Sequence, residues 1–113
     1  MLMNLKRKKK PQDWEFWYPP RSEVEILKKS QKIDDEMEYE IVSIASYCEG
    51  SEMDLNKRAM KIKNILIAKY RGRWEIIITN ENSKIGGALY TSKDLEYIFF
   101  SHKEFNYCIW KIF

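Results

Sequence analysis

The spacing of apolar residues changes once along the chain, dividing it into a helical part and a sheet part. Met37, Ile41, Ile44, Ala45 and Cys48 recur every three or four positions and mark one face of a helix. Asp34, Asp35 and Glu36 precede that stripe, where one carboxylate caps free amides and the others oppose the macrodipole; Gly50 is expected to end the helix. A second helix is predicted from about 51–54 onward, with Leu55, Ala59, Ile62, Leu66 and Tyr70 on one stripe and Gly72 just beyond its end. Lys57, Arg58, Lys61, Lys63 and Lys69 fall on the side assigned to water and in the C-terminal half, where cations suit the dipole.

After Gly72 the pattern turns to strands, predicted at 74–79, 86–90, 95–100 and 105–110 and joined by polar, turn-like segments at 80–84, 91–94 and 102–104. A shorter strand at 22–27 precedes the helices, with Val24 and Ile26 alternating against Glu23 and Glu25. The order strand, two helices, four strands defines an α+β chain in which two helices pack on an antiparallel sheet, without repeats or βαβ alternation.

Residues 1–20 stand apart as an N-terminal extension, leaving 21–113 as one domain. The extension begins with the basic run Lys6, Arg7, Lys8, Lys9 and Lys10 and continues into Trp14, Phe16, Trp17 and Tyr18 before Pro19 and Pro20. So many aromatics in five positions are expected to dock, on this chain's own body or on a partner. The formal net charge of +3 comes from the basic run, because the rest of the chain carries slightly more acid than base. A basic tail attracts polyanions weakly, and it is also the commonest kind of solvated terminus.

With 44% hydrophobic residues, the chain has enough apolar surface for a core. Candidate chemistry is sparse. His102 is the only histidine and is placed in a turn beside Lys103 and Glu104, so no nucleophile–histidine arrangement assembles. Cys48 and Cys108 lack metal or redox spacing, and the carboxylates at 34–40 lack the glycine and spacing of a calcium loop. No catalytic, cofactor-binding or metal residue is assigned, and an enzyme is not expected. No apolar run approaches the ~20 residues that cross a bilayer. Sheet aromatics with lysines can stack nucleic acid bases, but the near-neutral body argues against that use.

From about Lys32 to Lys111 the chain resembles the dynein light chains of the eight-kilodalton hub class. The resemblance is carried by Asp35-Glu36-Met37, Ala45, Ile62, Lys69-Tyr70 with Trp74 four residues on, Gly87, Thr91, Ile98, Phe100 and Trp110-Lys111. The ending Cys108-Ile109-Trp110-Lys111 is most similar to the axonemal subgroup. The resemblance implies a strand-swapped dimer in which a strand around Gly87 crosses to the partner's sheet, and an extended client segment adds beside it. Gly86, Gly87, Ala88, Leu89, Tyr90, Thr91 and Ser92 would form that strand and the groove's edge. Tyr97, Phe99, Ser101, Asn106 and Cys108 would line the groove, with Leu55 and Asn56 capping a client side chain. Glu75, Ile77, Gly87 and Leu89 would meet the partner.

The implied function is that of a non-catalytic light chain of a dynein motor, binding extended segments of intermediate chains, in the cytoplasm and cytoskeleton and in the axoneme of a cilium or flagellum. The alternative is a general dimerisation hub for disordered clients outside dynein. No cofactor, small-molecule substrate or membrane partner is implied. Three departures from the family pattern bear on specificity: Gly86 stands where an aromatic is usual, Ser101 stands for a Tyr, and the linker after Thr79 is about four residues longer, which loosens the crossover. A fourth is Glu75, in place of an interface histidine. Two Glu75 carboxylates facing each other across an axis repel, which favours a heterodimer with a relative offering a His or a basic residue there.

Overall fold

The computed structural model describes residues 17–80 and 96–112. A short 3-10 turn, Arg21–Glu23, leads into strand β1 (Val24–Lys29), followed by helix α1 (Asp35–Ser51), helix α2 (Leu55–Tyr70) and strands β2 (Trp74–Asn80), β3 (Glu96–His102) and β4 (Phe105–Lys111). The described strands form one antiparallel sheet in the order β1-β3-β4-β2, confirming the expected α+β architecture. The strand expected at 86–90 lies outside the described residues.

Both helices begin where their carboxylates dictate. Asp34 accepts from the Met37 amide at 2.8 Å and Asp54 from the Lys57 amide at 3.0 Å, each cap contributing about 1 kcal/mol. Along α1, Ile41, Ile44, Ala45 and Cys48 point inward as their spacing requires. Gly50 does not end this helix, which runs on to Ser51. A methyl group added at Gly50 would lie 3.1 Å from the Trp17 ring, so this glycine makes room for that indole. Trp17 also meets Tyr47 edge-on, with ring centres 5.9 Å apart, and Tyr18 stacks on Tyr39 at 4.5 Å. Of the two docking options open to the N-terminal aromatics, Trp17 and Tyr18 take this chain's own α1. Trp14 and Phe16 lie outside the described residues.

The main core fills the space between the helices and one face of the sheet. Ile62 and Leu66 of α2 meet Trp74, Ile78, Ile98, Phe100, Tyr107 and Ile109 there, with α1 closing the side. A buried Ile, Leu or Phe contributes roughly 1.5–3 kcal/mol, whereas an exposed ion pair contributes at most about 1. Packing therefore sets this layer's position, and pairs such as Lys69 with Glu40 at 3.3 Å adjust it. Glu40 also accepts a hydrogen bond from the Tyr70 hydroxyl, tying the start of α1 to the end of α2.

β1 runs further than its alternation indicates. A bulge at Leu27 shifts its register, with Ile26 opposite Phe100 and Lys28 opposite Phe99. The shift turns Lys28 away from the helices and lets Lys29 reach Glu38 at 2.7 Å and Asp35 at 3.5 Å in the first turn of α1. The hydrogen bond with Glu38 leads the interactions that raise the Lys29 pKa.

α2 turns into β2 through Arg71 and Gly72, with φ of 60° and 81°. Arg71, at ψ −171°, occupies backbone space that suits glycine. Its carbonyl accepts from the Trp74 indole at 2.7 Å, which fixes the buried ring. Replacing Arg71 by glycine removes the strain while keeping the carbonyl that accepts from Trp74 and the amide that donates to the Ile67 carbonyl at 2.8 Å. The expected gain is about 1 kcal/mol in urea unfolding; equal or lower stability would contradict this reading of the turn.

Candidate interaction site

Strand alternation gives the sheet a second apolar face. In register across β2, β4 and β3, Glu75 stands beside Trp110 and Tyr97, Ile77 beside Cys108 and Phe99, and Thr79 beside Asn106 and Ser101. These residues alternate with the ones that meet the helices, so they share the opposite face. Tyr97, Phe99 and Cys108 form a small cluster on which Ile77 and Trp110 pack. The rings of Tyr97 and Phe99 lie 5.2 Å apart, and the Lys28 ammonium, brought to this face by the bulge, stands 6.0 Å from the Tyr97 ring.

This face gathers seven of the expected site residues: Glu75, Ile77, Tyr97, Phe99, Ser101, Asn106 and Cys108. Leu55 packs with the helix-side core and Asn56 is exposed in the first turn of α2, so these two belong to the other layer. Gly86, Gly87, Ala88, Leu89, Tyr90, Thr91 and Ser92 lie outside the described residues. Trp110 and Lys28 were not among the expected site residues, although alternation places Trp110 beside Cys108 and Asn106. The turn of Lys28 to this face depends on a bulge that the sequence pattern does not mark.

Glu75 has a partner in its own chain. Lys63 of α2 reaches it at 3.8 Å, and both side chains are partly exposed. β2 pairs with β4 along one edge, and among the described residues no strand pairs with its other edge.

Neither thiol, Cys48 in α1 or Cys108 in β4, is set up as a nucleophile. Burial pushes the Cys108 thiol up to about 12 and the Cys48 thiol to about 11, the latter despite the nearby charges of Lys61 and Arg58, so both remain protonated at neutral pH. Among the described residues no group of three or more His, Cys, Asp or Glu could hold a metal ion, and no helix is long and apolar enough to cross a membrane.

A buried polar cluster joins the helices to the end of the sheet, and two of its members correct the sequence reading. Arg58 does not face water but is 2% exposed. Its Nε donates to the Glu52 carbonyl at 2.8 Å, its Nη1 to the Tyr107 hydroxyl at 3.2 Å, and its guanidinium lies 4.4 Å from the Phe105 ring centre. Its position four residues before Ile62 and eight before Leu66 already placed it on the apolar stripe. His102 does not lie in the turn; it is the last residue of β3 and is 3% exposed, facing the helices as Ile98 and Phe100 do.

The Tyr107 hydroxyl donates to Glu49 Oε1 at 2.6 Å, and His102 Nδ1 lies 2.9 Å from the same oxygen. Burial raises the Glu49 pKa, but the hydrogen bonds from His102 and Tyr107 and the charges of His102 and Arg58 outweigh it, so the net direction is down. Burial, then the hydrogen bond to Glu49, push the Tyr107 phenol well above its ordinary value.

With this architecture the protein has the fold of a dynein light chain-like domain. No protein-family model matches the chain, and no curated protein matches it, but solved structures do. The dynein light chain-like domain of the calcium-binding protein FhCaBP2 from Fasciola hepatica superposes with a TM-score of 0.65 at 14% identity, over 80% of this chain and 93% of that one. The DLC-like domain of CsTAL3 gives a TM-score of 0.66 at 14% identity, over 82% of this chain and 94% of that one.

A carboxyl whose pKa is lowered by folding contributes stability above its unfolded value and loses that contribution as pH falls through the folded value. Tyr107→Phe removes one of the hydrogen bonds holding Glu49 down. It is expected to cost roughly 1–2 kcal/mol at neutral pH and to move the acid loss of stability to higher pH. Urea unfolding at several values between about pH 3 and 7 checks this; acid limbs that coincide would show that Tyr107 does not hold the Glu49 charge.

Proposed function

We propose that this protein is a non-catalytic light chain that dimerises through the second face of its sheet and binds extended client segments by strand addition. The observation that carries this reading is the set of seven expected residues assembled on one face, beside a β2 edge with no described strand partner. Such an edge offers a row of amides and carbonyls, and alternating side-chain positions beside it discriminate among client residues. The segment expected to cross between protomers is the next one expected after β2, beyond the 80–84 linker. The dynein light chain-like fold supports the same reading, because strand addition at a dimer is what the resemblance implies.

The ion pair between Lys63 and Glu75 bears on the choice of partner. Two Glu75 carboxylates brought together across an axis would each carry a lysine from their own protomer, which offsets much of their repulsion. A dimer of identical chains is therefore the preferred assembly in this proposal, and pairing with a relative that offers a basic residue is the alternative.

As the finer reading we propose a light chain of a dynein motor, acting on intermediate chains in the cytoskeleton and axoneme. The second reading keeps the dimer and its groove but gives it disordered clients outside dynein. Purification of the tagged protein from its native cells separates the two. The motor reading expects dynein intermediate chains to co-purify in proportion to the bait and to be lost with Ile77→Lys, which charges the face. Recovery of intermediate chains unaffected by that substitution, or of none at all, would contradict the motor reading of this face.

A further inference from the structure

The outer side of α1 carries a feature that the binding reading of the sheet does not use. Tyr39, Ser43, Tyr47 and Gly50 stand at i, i+4, i+8 and i+11, so they form one stripe on the side of the helix away from Ile41, Ile44 and Cys48. The stripe alternates a ring, a small residue, a ring and a glycine. Its centre is closed, because Ser43 is 0% exposed although it faces away from the sheet. The residues on either side of Ser43 carry the cover: Tyr18 stacks on Tyr39 at 4.5 Å, and Trp17 meets Tyr47 edge-on at 5.9 Å. Trp17 also fills the space over Gly50, where a methyl group would lie 3.1 Å from its ring. From the α2 side, the Lys61 ammonium lies 5.4 Å from the Tyr47 ring centre and donates to Ser51 Oγ at 2.6 Å, which steadies that wall of the stripe.

The segment seated there is of one chemical kind. Trp17-Tyr18-Pro19-Pro20 joins two aromatics to two prolines. Pro20, at φ −56° and ψ 141°, has polyproline II geometry, and Pro19 is buried. Prolines have no amide to satisfy, so such a segment docks on an aromatic-lined groove through rings and shape rather than through a hydrogen-bond ladder. Among the described residues, the main-chain hydrogen bond of this segment is the one that the Pro20 carbonyl accepts from the Glu23 amide at 2.9 Å, within its own turn. Side chains, not a backbone ladder, hold the strap on α1. Two features mark it as an incomplete occupant: Trp17 leaves 45% of its surface in water, and the buried Ser43 Oγ at the centre of the stripe makes no hydrogen bond among the described residues. A segment that brings a carbonyl to Ser43 gains a bond that the strap does not make.

We propose that the outer stripe of α1 is a second peptide-docking site, selective for an aromatic pair followed by prolines on a partner protein, and that the chain's own residues 17–20 occupy it in cis as a displaceable guard. Tyr39 and Tyr47 receive the aromatic pair, the Gly50 notch admits the larger ring, and Ser43 supplies the polar contact between them. The tether gives the strap a high effective concentration, so a partner segment docks only where it binds better than the strap. The stripe lies on the helix layer and points away from the sheet, so one chain can hold a client there and another on the second face. The proposal does not depend on what the second face binds.

Titration of the full chain with a synthetic peptide of residues 15–22, followed through the amide resonances of Tyr39, Ser43 and Tyr47, tests the proposal. Trp17→Ala removes a partly exposed ring that stands outside the core and so vacates the notch. The peptide is expected to bind this variant saturably and at least about tenfold more tightly than the native chain, where the strap competes. Adding Gly50→Leu fills the notch from an exposed position and is expected to abolish the binding, and a peptide carrying Pro19→Ala and Pro20→Ala is expected to bind more weakly. No saturable binding to the Trp17→Ala chain would show that the stripe takes only its own tethered strap, and would overturn the proposal. Equal affinity for the native and Trp17→Ala chains, binding unchanged by Gly50→Leu, or a peptide indifferent to the loss of its prolines would overturn it as well.

Discussion

The register of β4 between β2 and β3 is the constraint on which the rest of the structure depends. Tyr107 stands opposite both Ile78 and Phe100, and Ile109 opposite both Ile76 and Ile98. Helix-facing side chains therefore fall in common rows across three strands, and α1 and α2 cover those rows. Because successive strand residues face opposite ways, the same pairing forces Asn106, Cys108 and Trp110 into rows with the odd-numbered residues of β2 and β3. A slip of one residue would carry Tyr107 out of the core and break its hydrogen bonds to Arg58 and Glu49. The buried polar cluster thus reports on the register of the sheet as well as on its packing.

The two faces are built from different materials. On the helix side, aliphatic and aromatic chains pack around Trp74, and its largest polar side chains come with partners: the Trp74 indole with the Arg71 carbonyl, and Arg58 with Tyr107 and Glu52. On the other side the apolar cluster is smaller and its rows end in polar or charged groups, with Glu75 at one end and Ser101, Asn106 and Thr79 at the other. An apolar centre with a polar surround is the composition of a docking face.

Much of this was legible in the sequence because helix and strand periods differ so clearly. The capping carboxylates, the apolar stripes of both helices and the change of period at Gly72 located each described element to within a few residues. The errors fall where one residue serves two layers. Arg58 was assigned to water by its charge, although its spacing to Ile62 and Leu66 put it inside, where Tyr107 and the Phe105 ring receive the guanidinium. His102 was assigned to a turn because β3 was taken to stop two residues early. Gly50 was read for its backbone freedom, whereas its lack of a side chain is what matters beside Trp17. The ion pair from Lys63 to Glu75 links a helix to the sheet's far face, a tertiary relation that no local pattern encodes. The rows of the second face, by contrast, follow directly from alternation once the register is known.

The mass of the purified full chain in solution at neutral pH and micromolar concentration tests the central claim most directly. The account predicts a species of twice the 13.7 kDa chain mass. A single-chain mass under those conditions would contradict it.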